Sequence, residues 1–240
     1  AIAVSKEASS KQLALKAAHE SIVLLKNENN LLPLQKAQYE KIAVVGPCAN
    51  DLFLGGYSGE PYEKVTLLQG IKNKVGNSSE VLFAQGCRIT ENLTISQFNW
   101  RNEKIEFTPR EVNLKLIDEA VKVAKQADII ILAVGENEYI CREAWSKTHI
   151  GDNMTLDLVG EQQELVEAMV ATGKPVVVYL THGRPLSINY IQQNVTAIVD
   201  GWYMGQETGT AAADVLFGDV NPSGKLTITV PKSVGQLPLF

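Results

Sequence analysis

Continuous apolar runs alternate along this chain with segments whose apolar positions recur at helical spacing. Lys11–Lys26 puts Leu13, Ala17, Ile22 and Leu25 near one face and predicts an amphipathic helix. Asn29-Asn30 and Pro33 then break the pattern. Lys41–Val45 is a short apolar run ending at Gly46-Pro47 and predicts a buried strand. Thr66–Val75 predicts a helix closed by Gly76. Val81–Ala84, ending near Gly86, predicts a second strand. Asn113–Gln126 predicts a helix, with Leu116, Ala120, Val123 and Ala127 on one stripe. Ile129–Val134, wholly apolar and ended by Gly135-Glu136, is the strongest strand signal. Gly160–Thr172 reads as a helix, and Pro175–Leu180 and Thr196–Asp200 read as strands. Glu207–Phe217 reads as an Ala-rich helix, and the alternating Leu226–Val230 predicts a final strand at a sheet edge. Glu91–Arg110 and Glu136–Asp157 fit neither period. Structureless loops beyond about 12–15 residues are uncommon in compact domains and are usually functional or disordered.

Strands that are continuous apolar runs, alternating with helices, imply an α/β fold: a mostly parallel sheet flanked by helices on both faces. With 240 residues and 45% hydrophobic content, one large core or two small ones are possible. The single-domain reading takes residues 1–240 as one unit. The net charge of −5 and the lack of a Lys/Arg run argue against a nucleic-acid partner. The longest apolar runs fall far short of the roughly 18 residues of a membrane span. Cys48, Cys87 and Cys141 form no CxxC pair, so they read as small buried or half-buried thiols, with one bridge left open. The chain starts without Met or a visible signal peptide and ends on an apolar Leu-Pro-Leu-Phe. Both ends are expected to be cut from a longer polypeptide.

In an open α/β sheet, ligands meet the loops at the carboxyl ends of the strands. Those loops begin here at Gly46, Gly86, Gly135, Thr181 and Gly201. None carries G-x-G-x-x-G or a P-loop, so a nucleotide cofactor is not expected. No G-x-S-x-G elbow is present. No histidine spacing suits a metal. His19 lies within the first helix and reads as structural. His182, at a strand exit, could contact a ligand or hold the loop backbone. The loop after Gly135 gathers Glu136, Glu138, Glu143, Asp152 and Asp157 with the aromatics Tyr139 and Trp145. Acids interleaved with aromatics suit sugars: rings stack on pyranose faces, and carboxylates bind hydroxyls or donate protons. A partly apolar pocket can raise one carboxyl toward neutrality, as a general acid requires. Composition does not choose among these acids, and a solvated acidic loop is the plain alternative.

The chain resembles the C-terminal α/β sandwich domain of glycoside hydrolase family 3, of the β-glucosidase/β-xylosidase type. The resemblance rests on blocks in order: Ala17 through Asn27, Leu31-Leu32-Pro33-Leu34, Ile42 through Pro47, Gly55 through Gly59, Ala127-Asp128 with its strand and Gly135-Glu136, Trp202 through Glu207, and Asp214 through Leu226. It implies an (α/β)6 sandwich in a retaining, exo-acting β-glycosidase that uses two carboxylates and no cofactor or metal. The nucleophilic Asp would lie on a preceding (β/α)8 barrel, absent from this chain. That barrel, in the same polypeptide, and an oligosaccharide or glycoside are the implied partners, with a periplasmic or extracellular location. The acid/base Glu falls in the loop after Gly135-Glu136. Arg142-Glu143-Ala144-Trp145-Ser146-Lys147 fits the family's Gly-Glu-Ala element best, with Arg142 in place of Gly and Lys147 where Arg is frequent. Glu143 is therefore the expected proton donor and Glu136 the alternative, unless Glu136 simply fixes the loop. Tyr57 matches a position where relatives place an aromatic near the sugar, or it packs at the domain interface. Trp145 and His182 complete the expected sugar contacts; Trp202 and Glu207 read as structural. A non-catalytic carbohydrate-binding or scaffolding domain remains as a second class.

Overall fold

A computed structural model describes residues 4, 6–36, 38–55, 58–59, 61–91, 105–141 and 153–239. Among the described residues a six-stranded sheet runs in the order β1-β6-β5-β4-β2-β3. Its strands are β1 (Val23–Asn27), β2 (Lys41–Val45), β3 (Glu80–Ala84), β4 (Ile129–Gly135), β5 (Val176–Thr181) and β6 (Ala197–Asp200). All neighbours pair in parallel except β1, which runs antiparallel to β6 at one edge. The helices are α1 (Ala8–Ser21), α2 (Leu67–Val75), α3 (Arg110–Ala124), α4 (Gln162–Val170), α5 (Asn189–Asn194) and α6 (Thr208–Leu216).

Successive residues of a strand point to opposite faces, and here both faces are covered. Ile42, Val44, Ile129, Ile131, Val177 and Val199 pack with Ala18 of α1, Ile71 of α2 and Leu216 of α6. Ala43, Val45, Ile130, Leu132, Val178 and Ile198 pack with Ala120 of α3, Leu165 of α4 and Ile191 of α5. Every residue of β4 is buried, which is why its sequence is apolar without alternation. Enclosing one such aliphatic side chain is worth about 1.5–3 kcal/mol. The middle of this sheet is therefore the most strongly held part of the molecule.

Local signals fix several ends. The Thr66 hydroxyl caps α2 by accepting from the Gln69 N–H at 3.2 Å. Gly76 then ends α2 at φ 54°, as the sequence suggests. Two expectations are corrected. The helix predicted over Lys11–Lys26 stops at Ser21, and Val23–Asn27 forms β1 instead. Val23 pairs with Asp200 and Leu24 with Val199, so the apolar run at Ile22–Leu25 finds a ladder at the edge of β6. Short apolar runs are ambiguous between the two periods, and tertiary pairing decided this one. The strand predicted over Leu226–Val230 does not form. β1 already occupies the edge beside β6. The Gly224 N–H instead bonds the Ile22 carbonyl just before β1, and the segment beyond it leaves Ile228 exposed. It then meets Ser187, whose hydroxyl donates to the Pro231 carbonyl. The short helix α5 is an addition that the sequence did not signal.

Candidate active site

The exits of the parallel strands gather at one end of the sheet. Gly135 closes β4 in a conformation that only glycine takes comfortably, with φ at 152°. A Cβ there would lie 1.8 Å from the Thr181 carbonyl oxygen, so β4 and β5 can close together only with glycine at this position. The Gly135 N–H and C=O are both completed by Gln162, the first residue of α4. Its Oε1 accepts from the Gly135 N–H at 2.9 Å, and its Nε2 donates to the Gly135 carbonyl at 2.8 Å and the Val159 carbonyl at 2.9 Å.

Glu136 follows immediately. Its N–H donates to the Thr181 carbonyl at 2.8 Å, continuing the ladder one step beyond the strand. Its side chain is fully enclosed, at 0% exposure, and forms an ion pair with the Arg184 guanidinium. Arg184 also donates through Nη1 to the Thr155 carbonyl at 2.9 Å. Glu136 thus fixes the loop through Arg184. Asn137, Glu138 and Tyr139 are also buried. The Asn137 Oδ1 accepts from the Tyr139 N–H at 3.0 Å, turning the chain inward, and Asn153 Nδ2 donates to the Ile140 carbonyl at 2.9 Å. Beside this group sits the half-buried thiol of Cys141. Burial pushes it well above the ordinary thiol range, the Glu136 charge pushes it further, and Arg184 pulls it partly back. Asp157, in contrast, is exposed.

At the neighbouring exits, His182 follows β5 and Trp202 lies just beyond β6. His182 is buried, and its Nε2 lies 3.0 Å from Asp200 Oδ1. The same Oδ1 accepts from the Trp202 N–H at 3.3 Å. The His182 and Trp202 rings meet at 4.7 Å between centroids, tilted by 52°. Trp202 holds φ at 53°, rare for a bulky side chain, and the Asp200 carboxylate helps hold it there. Across from these, the Tyr203 ring covers Gly183, where a Cβ would come within 2.8 Å of it. Burial first, then the nearby Cys141, Glu138 and Glu136, push the Tyr203 phenol far above its ordinary range, so it stays protonated.

Of the residues singled out from sequence, the structure brings Glu136 and His182 to the same end of the sheet. Glu143, Trp145 and Tyr57 lie outside the described residues, as does Asp152. Sequence reasoning missed Arg184, Gln162, Asp200 and Tyr203. Arg184 carried a signal: a charged Gly-Arg-Pro element directly after a strand exit, opposite an acid-rich loop. Gln162 carried none, because a lone amide at a helix start reads as solvent-facing. All three cysteines are free thiols. Among the described residues no cluster of His, Cys, Asp or Glu could hold a metal ion.

Known proteins share this architecture. A β-xylosidase of Formosa agariphila is 42% identical over 237 residues, covering 95% of this chain and 29% of that protein. A periplasmic β-glucosidase of Salmonella typhimurium is 44% identical over 232 residues, again covering 95% of this chain and 29% of its own length. The chain thus spans under a third of the curated relatives it matches. Among solved structures, a β-glucosidase from Erythrobacter marinus superimposes with a TM-score of 0.90 at 42% identity, over 98% of this chain and 32% of that one. A β-glucosidase from Listeria innocua, solved with isofagomine, gives a TM-score of 0.79 at 30% identity, over 98% of this chain and 29% of that one. Residues 22–240 match the glycosyl hydrolase family 3 C-terminal domain, and the chain belongs to that family.

Proposed function

We propose that this chain is the second domain of a retaining, exo-acting β-glycosidase, which removes terminal β-linked sugars from oligosaccharides or glycosides. The observation that carries the reading is membership of the family over residues 22–240, with the acid-bearing connection leaving the buried strand β4 at the ligand-binding end of the sheet. Glu143 is the proposed general acid/base. It protonates the leaving oxygen while an Asp of a preceding (β/α)8 barrel attacks the anomeric carbon. It then takes a proton from the water that releases the sugar. Retention requires the two carboxyls about 5–5.5 Å apart, so the site is complete only when barrel and sandwich are docked.

Glu136 suits support better than proton transfer. Its enclosure and its ion pair with Arg184 favour a fixed carboxylate, whereas a general acid must reach the glycosidic oxygen. Tyr57 and Trp145 are the proposed stacking surfaces for the sugar. His182, enclosed against Asp200 and Trp202, is proposed to shape the wall of the sugar pocket.

Two substrates are in play, because the relatives above include a β-xylosidase at 42% identity and a β-glucosidase at 44%. The name of the Salmonella protein favours a periplasmic or extracellular location. The test is hydrolysis of p-nitrophenyl β-glucoside and β-xyloside, followed by proton NMR of the first-formed sugar. The polypeptide carrying barrel and sandwich should cleave one of them to the β-anomer, and the present chain alone should cleave neither. Efficient hydrolysis by the present chain, or release of the α-anomer, would refute the reading.

A further inference from the structure

Arg184 stands at the exit of β5, outside the acid-rich connection, yet it holds both ends of that connection. Its Nη2 pairs with Glu136, the first residue after β4. Its Nη1 donates to the carbonyl of Thr155, close to the return into α4. Asn153 Nδ2 adds a second tie across the same two stems, reaching the Ile140 carbonyl at 2.9 Å. The Ser187 N–H, three residues beyond Arg184, donates to the Leu156 carbonyl at 2.7 Å. The outgoing stem is also fixed from below by Gln162 on Gly135. Glu143 lies between these ties in the sequence, after Ile140 and before Asn153.

We propose that Arg184 is a positioning residue for the proton donor, clamping both stems of the Glu136–Asp157 connection, with Glu136 as its enclosed counter-charge. This rests on the assignment of Glu143 as the acid/base. The guanidinium suits the task because its planar fork presents Nη1 and Nη2 to two different acceptors in a fixed mutual geometry, where an ammonium offers a single rotatable centre. The charge pair also explains why a carboxylate is enclosed at Glu136. Removing one partner of such a pair leaves an uncompensated buried charge. The Cys141 thiol beside the pair stays protonated and adds no third charge. A proton donor must be held within fractions of an ångström, and a misplacement of about 1 Å can cost on the order of 100-fold in rate.

The test compares Arg184→Met, Arg184→Lys and Glu143→Ala in the polypeptide that carries barrel and sandwich. Each is assayed on a dinitrophenyl β-glycoside, whose leaving group needs no proton, and on an alkyl β-glycoside, whose leaving group does. The ratio kcat/KM reports the glycosylation step alone. Arg184→Met should lose about 100-fold on the alkyl glycoside and at most about 5-fold on the dinitrophenyl glycoside. Arg184→Lys keeps the charge beside Glu136 but gives up one tie, so it should show the same bias with an unchanged melting temperature. It carries the test if Arg184→Met does not fold. Equal losses on both substrates, or none, would overturn the clamp. If Glu143→Ala itself shows no bias toward the alkyl glycoside, the acid/base assignment fails instead, and the clamp fails with it.

Discussion

Gln162 completes both backbone hydrogen bonds of Gly135, standing in for the strand neighbour that β4 lacks once β2 has ended at Val45. The amide is fully buried, so these bonds face no competition from water. Replacing it by leucine leaves the Gly135 N–H and C=O unpaired and takes the donor from the Val159 carbonyl. Gln162→Leu should therefore cost about 2–4 kcal/mol in urea unfolding of this chain. A loss under about 1 kcal/mol would mean that the bonds do not hold the β4 exit.

A second buried acceptor governs the neighbouring exits. Asp200 Oδ1 serves His182 and the Trp202 N–H together. Asp200→Ala removes the acceptor from both donors and leaves His182 enclosed without it. The expected destabilisation is about 2–3 kcal/mol, with a change in near-ultraviolet circular dichroism as the Trp202 ring loses its fixed neighbour. An unaltered spectrum would show that packing alone orients the ring.

The sheet was legible from sequence because burial on both faces writes itself as uninterrupted apolar runs. Ile129–Val134 is the clearest, and β4 extends it only by Gly135. Edges were not legible. Ile22–Leu25 satisfies either period, and only the free edge of β6 makes it a strand. Leu226–Val230 alternates as a strand should, yet no ladder receives it. The acidic loop and Glu136 stood out by composition. Arg184 and Asp200 did not, because their partners Glu136 and His182 sit on neighbouring strand exits, and residue spacing along the chain does not show which side chains meet across those exits.

On the helical face carrying α2 and α6, Lys74 bridges Asp214 and Asp219. Burial pulls the Lys74 ammonium down, but its hydrogen bonds to the two carboxylates outweigh that and raise it overall. The hydrogen bond from Lys74 lowers the Asp219 carboxyl. A lowered carboxyl gives stability that is complete above its unfolded value, about 3.9, and is lost as pH falls through the folded value. A raised ammonium gives stability that is complete below about 10.4 and is lost as pH rises through its folded value. Melting temperature should therefore fall more steeply below about pH 4 and above about pH 10.4 in the parent than in Lys74→Met. Parallel curves would remove the bridge from the account.

Cys48 and Cys87 are buried, and burial drives both thiols upward; half-buried Cys141 is raised by burial and by Glu136. The thiolate is the reactive form. Iodoacetamide at pH 7.5 should leave all three unmodified in the folded chain and label all three in guanidinium chloride, as read by mass spectrometry. Rapid labelling of Cys141 in the folded chain would contradict its placement beside Glu136.

The proposed proton donor, Glu143, is tested by chemical rescue in the polypeptide that carries barrel and sandwich. Glu143→Ala should lower turnover of a dinitrophenyl β-glycoside by slowing release of the glycosyl-enzyme, which then lacks its general base. A contribution of roughly 100- to 10,000-fold is expected of a general acid/base. Azide, which needs no base, should restore turnover and yield the β-glycosyl azide. Full activity of Glu143→Ala, or azide rescue of Glu136→Ala in its place, would contradict the account.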